Sequence, residues 1–442
     1  MRVSIVGTGY VGLVTGACLS EKGHEVTCVD IDPDRVAALN RAESPIFEAG
    51  LDSLLRANVG RGLRATTDLR AAVLESDLTL IAVGTPFNGQ EIDLTAVLGA
   101  TRQIGEVIRD KGSYHLVVVK STVVPGTTDK RVLPLLESAS GKKAGQDFGV
   151  GVNPEFLSEG EAVNDFLFPD RIVLGGIDSR SVELLERLYE SFPDVPRVRT
   201  NTRTAEMIKY ASNALLAALI SFSNELANLG AAIGDIDTVD VMHGLRLSQY
   251  FRGRNSEGLP PITAFLAAGC GFGGSCLPKD VGALVAHGRS VGQSMRLLDA
   301  VLQINKEQPQ RVIELLTKRW PRLSGVRVAV LGLAFKPETS DVRESPAFPI
   351  MRQLLERGAE VRAYDPVARY EAEKAFPDPG VRYCASLDTA IADVDAVVVV
   401  TPWEEFQEVP SRLNGRGRDI LFVDSRRTFP KDIMPGYVGI GL

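Results

Sequence analysis

One cysteine of this 442-residue chain stands in a glycine-rich turn, Gly271-Phe272-Gly273-Gly274-Ser275-Cys276-Leu277-Pro278-Lys279-Asp280. An ordinary thiol ionises near pH 8.5, at about the level of free cysteine, and becomes a thiolate only in a positive environment. Glycine-rich backbone and Lys279 supply one here. A helix beginning near Leu277 places Cys276 and Asp280 within one turn of each other. The same pattern also suits a buried structural thiol, the reading given to Cys18, Cys28 and Cys384. The chain opens with Gly7-Thr8-Gly9-Tyr10-Val11-Gly12 between a strand and a helix. A thiol nucleophile together with a dinucleotide fingerprint points to oxidation of an alcohol past the aldehyde, through a covalent intermediate.

Each glycine of the fingerprint has a physical task. Gly7 permits the tight turn, Gly9 lets backbone approach a pyrophosphate, and Gly12 lets helix and strand pack closely. The helix N-terminus presents amides and a positive dipole end to phosphate. Asp30 ends the second strand, where a carboxylate takes both ribose hydroxyls and repels a 2′-phosphate, so NAD is expected rather than NADP. Arg35 lies just beyond and either covers the adenine or sits in solvent. A flavin, or a turn with no ligand, competes for the same pattern.

Three further clusters carry polar groups at strand ends or on a helix. Asn153-Pro154-Glu155-Phe156-Leu157-Ser158-Glu159-Gly160 follows a strand, where open α/β sheets place ligands. Lys120-Ser121-Thr122 ends another strand, with hydroxyls suited to hold water or phosphate. Lys209 and Asn213, four residues apart, share one face of an Ala/Leu-rich helix, facing either solvent or a site.

These groups must be positioned by α/β architecture. Apolar strands at 2–7, 25–29, 78–83, 116–120, 150–152 and 171–174 alternate mostly with helical stretches, which predicts a parallel sheet covered by helices. From about Thr204 to Ala232 a long helix is expected, then more helix broken by a polar loop at Arg252–Pro261. A second α/β block follows, with strands at 326–331, 360–364, 396–400 and 420–423. The expected fold is α/β: two Rossmann-like parallel-sheet domains joined by a long central helix and a helical middle domain.

Composition is ordinary for a globular protein, with 44% hydrophobic and 24% charged residues. A net charge of −7 offers no basic field for nucleic acid or an anionic membrane. Five scattered cysteines make neither a metal pair nor a disulfide framework, and the four histidines suggest no zinc site. No apolar run is read as approaching the roughly 18 residues of a membrane helix. A cytoplasmic protein is expected, without membrane, nucleic-acid or metal partners.

The motifs above occur in order with Lys-x-x-x-Asn and with Phe335-Lys336 leading to Arg343-Glu344-Ser345. In this the chain resembles the UDP-glucose/GDP-mannose dehydrogenase family over essentially its full length. The resemblance implies an NAD-dependent four-electron oxidation of a nucleotide sugar at C6. UDP-glucose is the leading substrate; GDP-mannose or an N-acetylhexosamine nucleotide is the runner-up. Cys276 would be the nucleophile, Lys209 would stabilise oxyanion character, and Asp280 with Thr122 would position a water. Asn213 would hold a sugar hydroxyl and Glu155 would be the base for thioester hydrolysis. Cofactor contacts would come from Gly7, Gly9, Tyr10, Val11, Gly12, Asp30, Arg35, Thr85, Thr122, Glu159, Lys279 and Arg343. The sugar nucleotide would meet Glu155, Phe156, Leu157, Glu159, Lys209, Asn213, Phe265, Gly273, Lys336 and Arg426. The implied domains are 1–200 for NAD, 201–310 for the helical dimerisation domain with the cysteine loop, and 311–442 for the nucleotide sugar. A homodimer or higher homo-oligomer is implied, with an arginine reaching the sugar across the interface from Arg246, Arg252 or Arg254. Ala267 and Leu219 depart from the basic residues usual there. Two other classes stay open beside this one, a two-electron β-hydroxyacid dehydrogenase and a non-catalytic nucleotide-sugar sensor.

Overall fold

In the computed structural model, residues 1–252, 258–414 and 419–442 are described, and they form two units, Met1–Ser212 and Asn213–Leu442. The first is built on strands β1 (Arg2–Val6), β2 (Glu25–Val29), β3 (Leu63–Thr66), β4 (Leu78–Ile81), β5 (His115–Val119), β6 (Phe148–Val152), β7 (Ile172–Gly176) and β8 (Arg197–Thr200). Their order in the sheet is β3-β2-β1-β4-β5-β6-β7-β8. The central strands β4 (LTLI) and β5 (HLVVV) are buried along their whole length because helices cover both sides, and their two polar residues, Thr79 and His115, are hydrogen-bonded to each other. The strand order reverses between β1 and β4, and that crevice is where such sheets bind ligands.

One expectation is corrected here. β7 pairs antiparallel with β6, through Gly151 opposite Gly176 and Val152 opposite Gly175, so the sheet is not wholly parallel. After β6 the chain makes only the Asn153–Gly160 loop and the short helix Ala162–Leu167 before β7, and so returns down the sheet without a crossover. Strands β3 and β8 were also not expected. They are short edge strands, and β8 (RVRT) has no apolar run to announce it.

The second unit repeats the architecture with β9 (Arg327–Leu331), β10 (Glu360–Tyr364), β11 (Val381–Tyr383), β12 (Ala396–Val399), β13 (Leu421–Asp424) and β14 (Tyr437–Gly439), all parallel in the order β11-β10-β9-β12-β13-β14. Gly332 and Asp365 follow β9 and β10 as Gly7 and Asp30 follow β1 and β2. Asp365, however, is buried and accepts hydrogen bonds from the amides of Leu333, Ala334, Val367 and Ala368 and from the Trp403 indole. Its carboxylate is thereby committed to holding the loop, not to a ribose.

Helix α1 (Tyr10–Glu21) follows β1, and α2 (Thr202–Ile233) is the expected long helix. The second unit also contains α3 (Thr238–Arg246), α4 (Leu277–Ser290) and α5 (Arg296–Arg319). Contrary to expectation, α2 is long and apolar enough to cross a membrane by length and composition, with one 18-residue window of mean hydropathy 1.3. The cause is that it is apolar on more than one side. Ala205, Tyr210, Ala214, Ala217 and Ala227 are buried, while Met207, Leu215, Phe222 and Leu229 are exposed. Asn213, Ser221, Ser223 and Asn224 are buried polar groups on the same helix.

Candidate active site

The turn after β1 is shaped for a pyrophosphate. Gly7 has φ +98°, and a Cβ there would lie 2.7 Å from the Ala82 carbonyl oxygen beyond β4. A Cβ on Gly12 would lie 1.9 Å from the Gly7 oxygen, whereas the space around Gly9 is open. Helix and sheet are thus locked together at the first and third glycines, and the second leaves room for a ligand at the start of α1. The Asp30 carboxylate accepts from the Thr8 amide (2.9 Å) and hydroxyl (2.5 Å) and from the Asp32 amide (3.1 Å), with Arg35 Nη1 at 3.9 Å. Burial works against its charge, but these bonds outweigh it and hold the carboxyl below its usual range. A fixed anion at the end of β2 fits the ribose of NAD and opposes a 2′-phosphate.

Tyr10, expected at the cofactor, carries a hydroxyl tied to Glu48 and to the Gly160 amide. Glu48 also accepts from the amides of Gly160 (2.7 Å) and Ala162 (2.8 Å). A buried carboxylate therefore fixes the Glu159-Gly160 turn. No motif signals Glu48, which lies more than a hundred residues earlier in the chain, and the sequence reading missed it. Val11, beside Tyr10 at the start of α1, is half-buried. Thr85 and Thr122 come together, the Thr85 hydroxyl donating to the Thr122 carbonyl at 2.8 Å.

After β6, Glu155 and Lys209 form a buried ion pair at 2.9 Å. The Leu157 amide donates to Glu155 at 2.7 Å, and the Phe156 ring lies under Lys209 (5.7 Å) and Arg171 (3.9 Å). Desolvation alone would raise the Glu155 pKa, yet Lys209 holds it below the usual carboxylate range. Lys120 is the second group the sequence reading undervalued, since it looked only to the neighbouring hydroxyls. Its ammonium is buried, donates to Asn153 Oδ1 at 3.0 Å, and is pulled down to about 8 by burial. Lys120, Asn153, Glu155, Phe156, Arg171 and Tyr189 are among the residues lining one cavity of about 240 Å³.

In the second unit, Cys276 immediately precedes α4, where first-turn amides and the positive end of the helix dipole favour an anion. It alone of the five cysteines is partly exposed; burial pushes the Cys18 and Cys28 thiols up to about 12. Ser275 Oγ lies 3.5 Å from Cys276 Sγ. Asp280, one turn into α4 and buried, accepts from Asn213 Nδ2 (2.6 Å) and pairs with Lys279 Nζ (2.5 Å). Loops at the carboxyl ends of β9 and β13 grip the cysteine segment. A Cβ on Gly273 would fall 2.2 Å from the Glu344 oxygen, and one on Gly274 2.8 Å from the Phe335 ring. The Cys270 amide donates to the Ser425 carbonyl at 2.9 Å.

Family models match over nearly the whole chain. Residues 1–193 match the NAD-binding domain of the UDP-glucose/GDP-mannose dehydrogenase family, 203–307 its central domain and 329–431 its UDP-binding domain. The chain belongs to this family. It is an oxidoreductase that uses NAD and acts on a nucleotide sugar. A UDP-glucose 6-dehydrogenase of Haloferax volcanii is 44% identical over 432 residues, covering 97% of each chain. A GDP-mannose 6-dehydrogenase of Pseudomonas aeruginosa is 41% identical over 411 residues, 90% of this chain and 89% of that one. The solved UDP-glucose dehydrogenase of Pyrobaculum islandicum superposes with a TM-score of 0.89 at 39% identity, covering 99% of this chain and 97% of that one.

Within this family member the remaining expected contacts are distributed as follows. Glu159 and Phe265 are half-buried, as is Lys336, whose ammonium lies 5.9 Å from the Phe335 ring. Arg426 is held by the Val400 carbonyl (Nε at 2.9 Å) and packs against Gly269. Arg343 is exposed and doubly bonded to Asp341. Arg246 bonds the Leu266 carbonyl and so braces the segment leading to Ala267, which is exposed. Arg252 ends the short helix Gln249–Arg252, and Arg254 lies outside the described residues. Leu219 is half-buried on α2, its carbonyl accepting from Ser223.

Proposed function

We propose that the chain oxidises UDP-glucose to UDP-glucuronate with two NAD and one water. The observation that carries this reading is the partly exposed Cys276 at the N-terminus of α4, with Asn213, Asp280 and Lys279 bonded beside it. The Gly7–Gly12 turn and Asp30 would hold NAD, which when bound would supply the hydride acceptor for both oxidations. Asp280 and Thr122 hold the water that takes the alcohol proton, and Asn213 holds a sugar hydroxyl. The Cys276 thiolate adds to the C6 aldehyde, and Lys209 stabilises the resulting alkoxide. Loss of the second hydride leaves a thioester on Sγ. Water activated by Glu155 attacks the carbonyl carbon, the C–S bond breaks, and the thiolate is regenerated. Held below the usual carboxylate range, Glu155 is unprotonated at neutral pH and able to accept that proton.

UDP is favoured as the nucleotide by the UDP-binding domain at 329–431 and by the 44% identity to a UDP-glucose enzyme over 97% of the chain. The 41% identity to a GDP-mannose enzyme makes GDP-mannose the second reading. We further propose three functional domains, at 1–200, 201–310 and 311–442, a cytoplasmic location, and a homodimer formed through α2. Supporting the dimer, Leu215, Phe222 and Leu229 recur every seven residues on α2 and are 51%, 44% and 55% exposed. The deciding experiment counts NADH per limiting sugar nucleotide, with UDP-glucose, GDP-mannose and UDP-N-acetylhexosamines. Two NADH from UDP-glucose are expected, and Cys276→Ala should not reach two. One NADH per sugar in the wild type would sink the four-electron route, and turnover of GDP-mannose alone would replace the substrate.

A further inference from the structure

A segment outside helix and sheet must pair its buried backbone groups by other means. Along Gly269–Gly274 most of those partners are single bonds: Gly269 N to Asn224 Oδ1 (2.7 Å), Cys270 N to Ser425 O (2.9 Å) and Gly274 N to Arg343 O (2.9 Å). Phe272 is held differently. Asn305, on α5, accepts the Phe272 amide at 2.7 Å and donates Nδ2 to the Phe272 carbonyl at 3.0 Å. One side-chain amide thus closes both polar groups of a single residue, the pairing a neighbouring strand would otherwise provide.

The seat for this clamp is built from both sides. Pro309, inside α5 and four residues after Asn305, has no N–H to give the Asn305 carbonyl, so the helix bond that carbonyl would ordinarily accept is missing. Gly271, at φ +102°, packs onto that spot; a Cβ would lie 2.9 Å from Asn305 Oδ1 and 3.3 Å from the Asn305 carbonyl oxygen. Next on the same helix, Gln308 is fully buried and accepts from Asn228 at 3.1 Å, which ties α5 to α2 at this level. The chain leaving Phe272 is closely packed, with Gly273 against the Glu344 carbonyl and Gly274 against the Phe335 ring. Fixing the Phe272 peptide therefore fixes where Ser275 and Cys276 emerge.

We propose that Asn305 is a positioning residue that, through the Phe272 peptide, aims the Cys276 thiol for capture of the C6 aldehyde. This rests on the reading of Cys276 as nucleophile. A mis-aimed thiol leaves the first oxidation intact and lets the aldehyde escape before the second. That outcome differs from simple destabilisation, which removes active molecules without changing the product of those that remain. The test uses the full chain with UDP-glucose and NAD, in Asn305→Asp and Gly271→Ala. The first is isosteric and keeps only the acceptor for Phe272 N–H; the second pushes on the same clamp without altering Asn305. NADH per sugar is counted, and aldehyde is trapped as its semicarbazone and identified by mass.

In both variants, melting once as folded protein, kcat should fall roughly tenfold while KM for NAD stays within about threefold, by the logic that separates transition-state from ground-state contacts. NADH per sugar should drop from two toward one, with trapped aldehyde that the wild type does not release. Two NADH and no aldehyde in either folded variant overturns the proposal, even if kcat falls, because that is a structural role alone. If Cys276→Ala itself still gives two NADH, the reading of Cys276 fails and the clamp has no nucleophile to aim.

Discussion

The Glu155–Lys209 pair, both partners nearly buried and 2.9 Å apart, is costly to break from one side. Lys209→Ala leaves a buried carboxylate without its cation, a change worth about 3–5 kcal/mol in comparable buried pairs. Chemical denaturation at pH 7 should show a loss of that order, and NADH formation should fall by roughly 10²–10³, as for loss of an oxyanion partner. The pH dependence has a definite sign. Because Glu155 is held below its unfolded value near 4.5, its contribution is present above that pH and is lost as pH falls through the lower folded value. The stability gap between wild type and Lys209→Ala should therefore narrow on acidification, and a gap independent of pH would exclude the pair as its source.

At the scale of elements, α2 is anchored by Glu206, whose carboxylate accepts from the amides of Gly126 and Thr128 (2.9 Å for the latter) in the loop after β5. Burial is the largest influence on Glu206 and raises it to about 7, against the opposing pull of these amides. The folded state therefore binds more proton than the unfolded state between about pH 4.5 and 7, and stability falls as pH rises through that window, by an amount on the order of 3 kcal/mol. Glu206→Gln removes this titration. Unfolding free energies of the two proteins, measured at pH 5 and pH 7.5, should move in favour of the variant at the higher pH; a constant difference would mean that Glu206 does not titrate there. The same anchoring logic appears in the second unit, where Asp237 caps α3 and is bound by the buried Arg427 at 2.8 Å and by Lys431.

For the whole molecule, the proposed dimer turns on the outer face of α2. Leu215, Phe222 and Leu229 form an apolar stripe that a globular chain seldom leaves in water without a partner. A second copy of the chain, bringing the same stripe by two-fold symmetry, buries both at once. Phe222→Glu should then shift the species seen in sedimentation velocity from dimer toward monomer while each chain remains folded by circular dichroism. A wild-type chain sedimenting as a monomer at micromolar concentration would remove this proposal.

Much of the fold was legible because its signals are local. A short continuous apolar run made of β-branched residues, such as Val117-Val118-Val119, reads as a strand buried on both faces. The Gly7–Gly12 spacing and the Ala/Leu periodicity of α2 depend on neighbours in sequence, and so did the choice of Cys276 over the buried thiols. Edge strands β3 and β8 escaped notice because their residues answer to solvent on one side. The antiparallel β7 did so because strand direction depends on where the connecting loop goes, not on the strand's residues. The tertiary structure alone decided which polar groups meet. Glu48 reaches a turn more than a hundred residues away, Lys120 is buried beside Asn153, and Asn305 on α5 grips the Phe272 peptide of a distant loop. Sequence encodes the chemistry and the local geometry of each group, but a hydrogen bond between distant segments exists only once packing has placed donor and acceptor within about 3 Å of each other.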